Sequence, residues 1–465
     1  MLAQLTDSPY ITALLTERNT SVRISITTLG CKVNQYETSA IEQMLIKRGH
    51  EICPAGSGGM NAVIINTCAV TAESGRKSRQ AIRRAKKDNP GAIIAVCGCF
   101  SQIDPEQVEK LGVDLVCGSG KRSSFVEDFE RTISERIIAR RSVTPSDPGS
   151  AKMRDIDNPF KRREFEVLPS GGLSGRTRAF LKIQDGCDNF CTYCIIPYAR
   201  GAVRSMASSE AVNQIKKLAA EGYLEVVITG IEIASYGKDL NDGVGLLQLI
   251  GLVSQAAPSI RLRLGSIEPR LITEEFCRGI SEISRLCPHF HLSLQSGSDE
   301  VLARMGRKYN TSRFYQSTEL LRHYFPGCAI TSDLIVGFPG ETEREFNESM
   351  DFIQECRFSD MHIFPYSVRP GTRAAEMNGH LDKKTKAERA ETAGAIASSM
   401  KLEYLASCVG SVQEVLIESK NGGASGHAGN YCSVSVPGAI CGELIKVLIS
   451  GVSDEFLLGE KLSSV

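Results

Sequence analysis

The chain has 465 residues, too many for one ordinary hydrophobic core, so two to four domains are expected. Its 54 Lys plus Arg equal its 54 Asp plus Glu, so overall charge selects no class of partner and only local clusters can. Sixteen cysteines are spread through a long chain without a secretion signal or an apolar run of membrane-spanning length, which argues against a disulfide scaffold and a membrane protein and for reduced thiols in a cytoplasm, some of them metal ligands.

Residues 1–20 form a polar extension without a pattern. From Val22 strands alternate with helices: strands at Val22–Thr27, Ala62–Asn66, Ile93–Cys97 and Val113–Cys117, helices at Gln35–Arg48 and Ala72–Lys87. Such alternation predicts a parallel sheet, whose ligand crevice lies at the carboxyl ends of its strands. Cys31, Cys68 and Cys99 follow the first three strands, so they converge on one edge as a cluster site requires. Ordinary buried cysteines would give the same spacing, and Cys97 and Cys117 compete as ligands. On the second helix Arg76, Arg79, Arg83 and Lys87 repeat at three- and four-residue intervals and share a face. Most such faces are simply solvated, but this one has only Glu73 and Asp88 to balance it and begins just after Cys68; a nucleic-acid backbone is the expected partner.

Residues 142–175, rich in Ser, Pro, Gly and charge, read as a linker. Six further strands are predicted at Ala179–Ile183, Glu225–Thr229, Arg261–Leu264, His289–Ser293, Ala329–Val336 and Met361–Phe364, with helices between them such as Ser208–Glu221 and Glu341–Gln354. Six units rather than eight predict a partial (β/α)6 barrel with its chemistry at the carboxyl ends of the strands. Cys187, Cys191 and Cys194 follow the first of these strands at spacings of three and two residues. Three thiolates can hold a 4Fe–4S cube and leave one iron open, whereas structural zinc sites use two close pairs and no second pair follows here. Phe190 and Tyr193 offer apolar cover. Gly230, Ser266, Glu268, Gln295 and Asp333 lie at or near the other strand ends, where glycine permits close approach and a carboxylate accepts hydrogen bonds. A long polar helix at Lys383–Leu405 leads to segments Gln413–Glu418, Tyr431–Val436 and Leu444–Ser450, which predict a small antiparallel β-barrel. From Ser411 onward three Lys face six Asp plus Glu, so RNA contact there would rest on local groups such as Asn430 and Tyr431.

The stretch Cys187-Asp188-Asn189-Phe190-Cys191-Thr192-Tyr193-Cys194 resembles the radical S-adenosylmethionine (SAM) superfamily. The resemblance implies that the open iron binds the amino and carboxylate groups of SAM, that an electron cleaves SAM to a 5′-deoxyadenosyl radical, and that Tyr193, Gly230, Ser266, Glu268, Gln295 and Asp333 line the SAM pocket. Gly30-Cys31-Lys32-Val33-Asn34-Gln35-Tyr36-Glu37-Thr38, Asn66-Thr67-Cys68-Ala69-Val70 and Gly98-Cys99-Phe100-Ser101-Gln102 are similar to the amino-terminal motifs of the methylthiotransferases. That family implies an auxiliary 4Fe–4S cluster on Cys31, Cys68 and Cys99, and leaves Cys53, Cys97 and Cys117 as structural residues. Gly426-His427-Ala428-Gly429-Asn430-Tyr431 resembles the signature of the TRAM domain.

The domains implied are a cluster domain over 21–137, a linker over 138–172, a radical SAM core over 173–403 and a TRAM domain over 404–465. The motif around Cys31 resembles the branch acting on tRNA threonylcarbamoyladenosine, which implies methylthiolation of C2 of that base at tRNA position 37. Partners would be a tRNA anticodon loop, an electron donor of the reduced flavodoxin or ferredoxin kind and a sulfur source, with no membrane. The alternatives are a methylthiotransferase for a ribosomal protein or for isopentenyladenosine tRNA, and a non-enzymatic iron–sulfur RNA-binding protein.

Overall fold

Apolar, β-branched segments such as Ala62–Thr67 and Ile93–Gly98 are buried along their whole length, as strands covered on both faces must be. They belong to a computed structural model that describes residues 21–141, 153–171, 177–419 and 424–462, and divides into two compact units, Met1–Asn158 and Pro159–Val465. The first unit holds six parallel strands: β1 (Arg23–Thr28), β2 (Glu51–Cys53), β3 (Ala62–Thr67), β4 (Ile93–Gly98), β5 (Leu115–Cys117) and β6 (Met153–Asp155). Their order is β2-β1-β3-β4-β5-β6, so the winding reverses at β1 and β3 and opens a crevice at their carboxyl ends. The sequence pattern gave no sign of β2 and β6, because a three-residue edge strand is too short to show a period. β6 lies inside the stretch expected to be a linker.

The helix Lys32–Lys47 buries Val33, Tyr36, Ala40, Ile41 and Leu45. Glu37 on the same helix is 1% exposed and receives Arg122, also 1% exposed, at 3.0 Å; Arg122 further donates to the carbonyls of Gly118 and Ser119. Loss of either partner would leave an uncompensated buried charge, at a cost of about 3–5 kcal/mol. Helix Ala72–Asp88 buries only Gly75, Ser78, Ile82 and Ala85, so most of its surface is charged and faces water.

The second unit contains all six predicted barrel strands, in two parallel arcs. β7 (Arg178–Lys182), β10 (Glu225–Thr229) and β11 (Arg261–Leu264) form one. β12 (Ser266–Ile267), β13 (His289–Gln295), β14 (Ala329–Val336) and β15 (Asp360–Pro365) form the other. β8 (Gln184–Asp185) and β9 (Arg204–Ser205) make a short antiparallel pair that frames the loop after β7. The third predicted strand coincides with β11; Gly265, whose amide bonds the Ile228 carbonyl at 2.8 Å, separates it from β12, which belongs to the other arc. Along β13 Phe290, Leu292 and Leu294 pack into the core with Ile330 and Leu334 of β14. By the two-residue period, His291, Ser293, Gln295, Thr331, Asp333 and Ile335 share the opposite, lumenal face.

After the long helix Lys383–Ser407 the chain forms a closed barrel of β16 (Val412–Ser419), β17 (Ser425–Ala428), β18 (Ser433–Ser435), β19 (Leu444–Ser453) and β20 (Phe456–Lys461), in the order β16-β17-β18-β20-β19. Its pairs are antiparallel except β18 with β20, whose parallel contact closes the cylinder. It is joined to the starts of β7, β10 and β11 by an ionic knot. Glu225, fully buried, accepts from Arg261 at 2.7 Å and Arg263 at 2.8 Å; burial pushes its carboxyl up, but these guanidinium groups outweigh that and hold it at about 2. Arg261 also donates to the backbone carbonyls of Glu414 and His427, and Arg263 to those of Ala428 and Gly429. Arg178 binds the Glu418 carboxylate at 2.9 Å.

This knot bears on two sequence expectations. Asn430 is 3% exposed and donates to the Tyr404 hydroxyl, while Tyr431 stacks between His289 and His427 beneath Arg263. Asn430 is thereby committed to the joint, while Tyr431 is half-buried and borders, with Asn430, His427 and Lys401, a pocket of about 310 Å³. Glu418 and Glu414 are likewise engaged by Arg178 and Arg285, which leaves four acids against three Lys and removes most of the acidic excess from the domain's outer field. Among the described residues no helix is long and apolar enough to cross a membrane.

Candidate metal centres

Cys187, Cys191 and Cys194 line one cleft of about 150 Å³, together with Asn189, Tyr193, Ile196, Ile231, Glu232, Ser266, Glu268, Ser293, Gln295 and Arg307. The loop that carries them is fixed at both ends. Asp185 is buried against Lys182, Arg200 and Arg204; burial raises its carboxyl, but the three cations outweigh that and hold it well below the usual range. Gly186 has φ +75°, and a Cβ there would fall 1.9 Å from the Ala202 carbonyl oxygen, so only glycine turns the chain into the loop. Gln184 donates to the Gly186 carbonyl at 2.7 Å and accepts from the Glu232 amide at 2.8 Å, which ties the cysteine loop to the end of β10. Thr192 donates through its amide to Met305 and through its hydroxyl to Arg304. Phe190, at φ +47°, stacks with Phe160 and meets Tyr198 edge-on, an aromatic cover outside the thiols.

Burial pushes the Cys187 thiol up to about 11 and the Cys194 thiol up to about 12. Without a cation these groups stay protonated, so the cleft favours thiolates only when a metal centre supplies the compensating charge. Arg307 donates to the Cys191 sulfur at 3.2 Å and also bonds the Tyr309 hydroxyl at 2.9 Å. The donor set, its burial and this cation fit an iron–sulfur cluster. Gln295 adopts φ +73° where the β13–β14 register slips, a strained conformation of the sort that clusters at ligand sites.

Of the residues expected near SAM, Tyr193, Ser266, Glu268 and Gln295 line the cleft. Gly230 does not; a Cβ there would lie 2.9 Å from the Gln184 carbonyl oxygen, so it serves backbone packing just before the lining residues Ile231 and Glu232. Asp333 also stands outside the cleft lining. It is held on the lumenal face by His291 at 3.2 Å and His362 at 3.1 Å; burial raises its carboxyl, and these bonds outweigh that and lower it. Two lining residues, Glu232 and Arg307, lie outside the sequence expectations. Glu232 sits three residues past a strand end and was within reach of the rule that found Glu268. Arg307 follows a short helix beyond β13 and carried no signal.

In the first unit the three motif cysteines follow the carboxyl ends of β1, β3 and β4, which are neighbours in the sheet. Cys31 caps the helix Lys32–Lys47, Cys68 follows β3, and Cys99 opens the helix Cys99–Ile103 after β4. A Cβ at Gly30, φ +103°, would lie 2.8 Å from the Cys68 Cβ and 2.9 Å from its sulfur, so the glycine admits Cys68 against the Cys31 loop. The polar residues of the motifs bind the loops together. Asn34 donates to the carbonyls of Leu29 and Thr67, Asn66 to the Asn34 carbonyl and the Thr38 hydroxyl, and Thr67 to the Cys97 carbonyl. Cys31 is exposed while Cys68 and Cys99 are 5% and 3% exposed, an arrangement open to solvent on one side. Cys97 and Cys117 instead pack in the apolar core with Leu115 and Phe125, and burial pushes the Cys117 thiol far up.

The basic helix divides into tied and outward charges. Arg76 is paired with Glu73, and Arg79 donates to Gln107 and lies over the Phe100 ring; Arg83 and Lys87 are exposed. On its other flank Lys77 and Arg84 border a groove of about 450 Å³ against Ser25, Thr27 and Val63.

A partial barrel of parallel strands with three cysteines in the loop after its first strand defines a radical SAM protein. The radical SAM superfamily model matches residues 181–353, and the model of the uncharacterized protein family UPF0004 matches 23–118. The chain is 38% identical to the threonylcarbamoyladenosine tRNA methylthiotransferase MtaB of Bacillus subtilis, over 92% of this chain and 93% of that protein. It is 32% identical to the tRNA-2-methylthio-N(6)-dimethylallyladenosine synthase of Pelotomaculum thermopropionicum, over 93% and 96%. The radical SAM methyltransferase TsrM of Kitasatospora setae, with cobalamin and a [4Fe-4S] cluster bound, shares the fold at a TM-score of 0.52 and 17% identity, over 77% of each chain. The chain belongs to the radical SAM methylthiotransferase family. It is a transferase whose cofactors are SAM and a 4Fe–4S cluster.

Proposed function

We propose that this enzyme methylthiolates C2 of N6-threonylcarbamoyladenosine at position 37 of tRNA, with one 4Fe–4S cluster on Cys187, Cys191 and Cys194 and a second on Cys31, Cys68 and Cys99. The observation that carries the two-cluster reading is the pair of cysteine triads, each gathered at the carboxyl ends of parallel strands with glycines and polar residues that fix the loops. The substrate rests on the motif around Cys31 and on the likeness to the threonylcarbamoyladenosine tRNA methylthiotransferase of Bacillus subtilis.

The C–H bond at C2 is beyond the reach of any side chain, and a SAM-bound cluster supplies the radical chemistry that breaks it. The chain's own residues bind and orient. Arg307 directs a cation at the Cys191 sulfur, Glu268 and Glu232 line the cleft and would offer carboxylates to the donor groups of SAM, and Phe190 with Phe160 would cover the thiols. Asn34, Asn66 and Thr67 keep the second triad's loops in register, with Cys31 facing outward. The base would leave the anticodon loop at modest cost, because that loop is single-stranded. Reduced flavodoxin or ferredoxin, a sulfur source and a cytoplasmic setting complete the reading.

The test is nucleoside analysis of tRNA incubated with reconstituted enzyme, SAM and reductant. The methylthio derivative of threonylcarbamoyladenosine is expected. Conversion of isopentenyladenosine tRNA instead would transfer the enzyme to the other branch. A ribosomal-protein substrate loses its main support, since the acidic domain spends Glu414 and Glu418 on its own joint.

For tRNA binding, Arg83 and Lys87 are the charges to reverse, because Arg76 and Arg79 already hold protein partners. Arg83→Glu with Lys87→Glu is expected to weaken tRNA binding and to flatten the slope of log affinity against log salt by about one to two units. Cluster content and SAM cleavage without tRNA stay unchanged. Equal salt slopes for wild type and variant would make this face a plain solvated surface.

A further inference from the structure

We propose that His291, Asp333 and His362 form a metal site of their own, for zinc or another divalent transition ion, in the lumen of the barrel and apart from both cysteine triads. The three residues come from adjacent parallel strands. Asp333 and His362 are register partners across β14 and β15, and His291 stands opposite Thr331 on β13, one pleat from Asp333 on the same face. One ligand atom from each lies within 4.8 Å of the others. The His291 Nε2 is 3.2 Å and the His362 Nδ1 3.1 Å from the Asp333 oxygens. The imidazoles meet different oxygens of Asp333, Oδ2 and Oδ1, and ligands about 2.1 Å from a common ion stand about 3.0 Å apart in an octahedral site and about 3.4 Å apart in a tetrahedral one, so an ion would draw the three side chains together from their 4.8 Å limit.

The surroundings select the same atoms. The Nδ1 of His291 lies 2.9 Å from the Thr331 hydroxyl, which directs Nε2 toward Asp333. That is the outer support a metal-binding imidazole needs, with the proton on the nitrogen away from the ion. Two imidazoles and one carboxylate suit zinc, iron and their neighbours, and three protein ligands leave coordination positions open to the lumen. His362 has 66% of its side chain exposed, which gives an ion a route in from solvent. None of the three residues lines the cysteine cleft, so the site does not borrow ligands from the cluster. The competing account is a hydrogen-bonded His–Asp–His row with no ion, and binding measurements separate the two. The inference does not depend on the substrate proposed above.

The experiment uses the full chain with its clusters assembled and loosely bound metal removed on a chelating resin. Zinc is then titrated calorimetrically, manganese is followed by the loss of its free-ion magnetic resonance signal, and iron is counted before and after. One ion per chain is expected beyond the cluster iron. His362→Ala and His291→Gln should each weaken binding more than tenfold without changing the iron count. Thr331→Val keeps all three ligands and removes the hydroxyl that supports His291 and also meets His289, and is expected to weaken binding by about 10- to 100-fold. No binding in the wild type, or equal affinity in wild type and His362→Ala (an adventitious ion only), overturns the proposal. An unchanged affinity in Thr331→Val alone would overturn the assignment of Nε2 as the His291 ligand.

Discussion

Anaerobically reconstituted protein in which Cys187, Cys191 and Cys194 are all alanine is expected to retain about four of about eight irons and to produce no 5′-deoxyadenosine. The size of this effect follows from the cleft. The three sulfurs share one small cavity with Arg307, Glu268 and Gln295, and the cavity offers no other thiol to take over as ligand. The fold should survive, because Asp185 with its three cations and Gly186 hold the loop from outside the thiols. Iron assay, the visible spectrum and chromatography of the SAM products give three independent readings. An unchanged iron content in the triple variant would sink the assignment.

The complementary variant, with Cys31, Cys68 and Cys99 replaced, is expected to lose methylthiolation completely while SAM is still cleaved. The two triads belong to separate compact units, and each is built from its own unit's strand ends. Loss of one cluster therefore leaves the other's ligands intact, and total iron again falls to about four. Cys97→Ala serves as the contrast. Its side chain fills core space beside Leu115 and Phe125, so it should cost stability but not the second cluster. If Cys97→Ala abolished that cluster while Cys99→Ala spared it, the ligand choice at β4 would be wrong.

Much of this architecture was legible because long strands and turn residues leave strong local patterns. The six barrel strands fall within a few residues of their predicted ends, and the rule that chemistry gathers at carboxyl ends of parallel strands located both triads. The motif residues Asn34, Asn66 and Thr67 could be matched from sequence, but their purpose could not, since the partners that join one loop to the next lie 28 to 34 residues away. Arg307 was missed for the same reason: its partner Cys191 is 116 residues distant and no local feature announces the contact. The histidine partners of Asp333 were not legible either, because strand-end position does not say what stands beside a residue on β13 and β15. The charge count of the last domain misled because counting treats every carboxylate as solvated, whereas Glu414 and Glu418 meet arginines of the barrel.

The ionic knot at the foot of the barrel bears on how freely the last domain can diverge. Arg261 and Arg263 recognise it almost entirely through main-chain oxygens, those of Glu414, His427, Ala428 and Gly429. Every residue type supplies such an oxygen, so seating demands a backbone path more than particular side chains. Glu418, bound by Arg178, is the chief exception. Outward positions of β18, β19 and β20 can therefore drift with little effect on seating, whereas an insertion that shifts Gly429 along the chain would misalign the Arg263 contacts. Descendants of this chain are free to acquire new binding surfaces there while the domain keeps a fixed pose beneath the barrel.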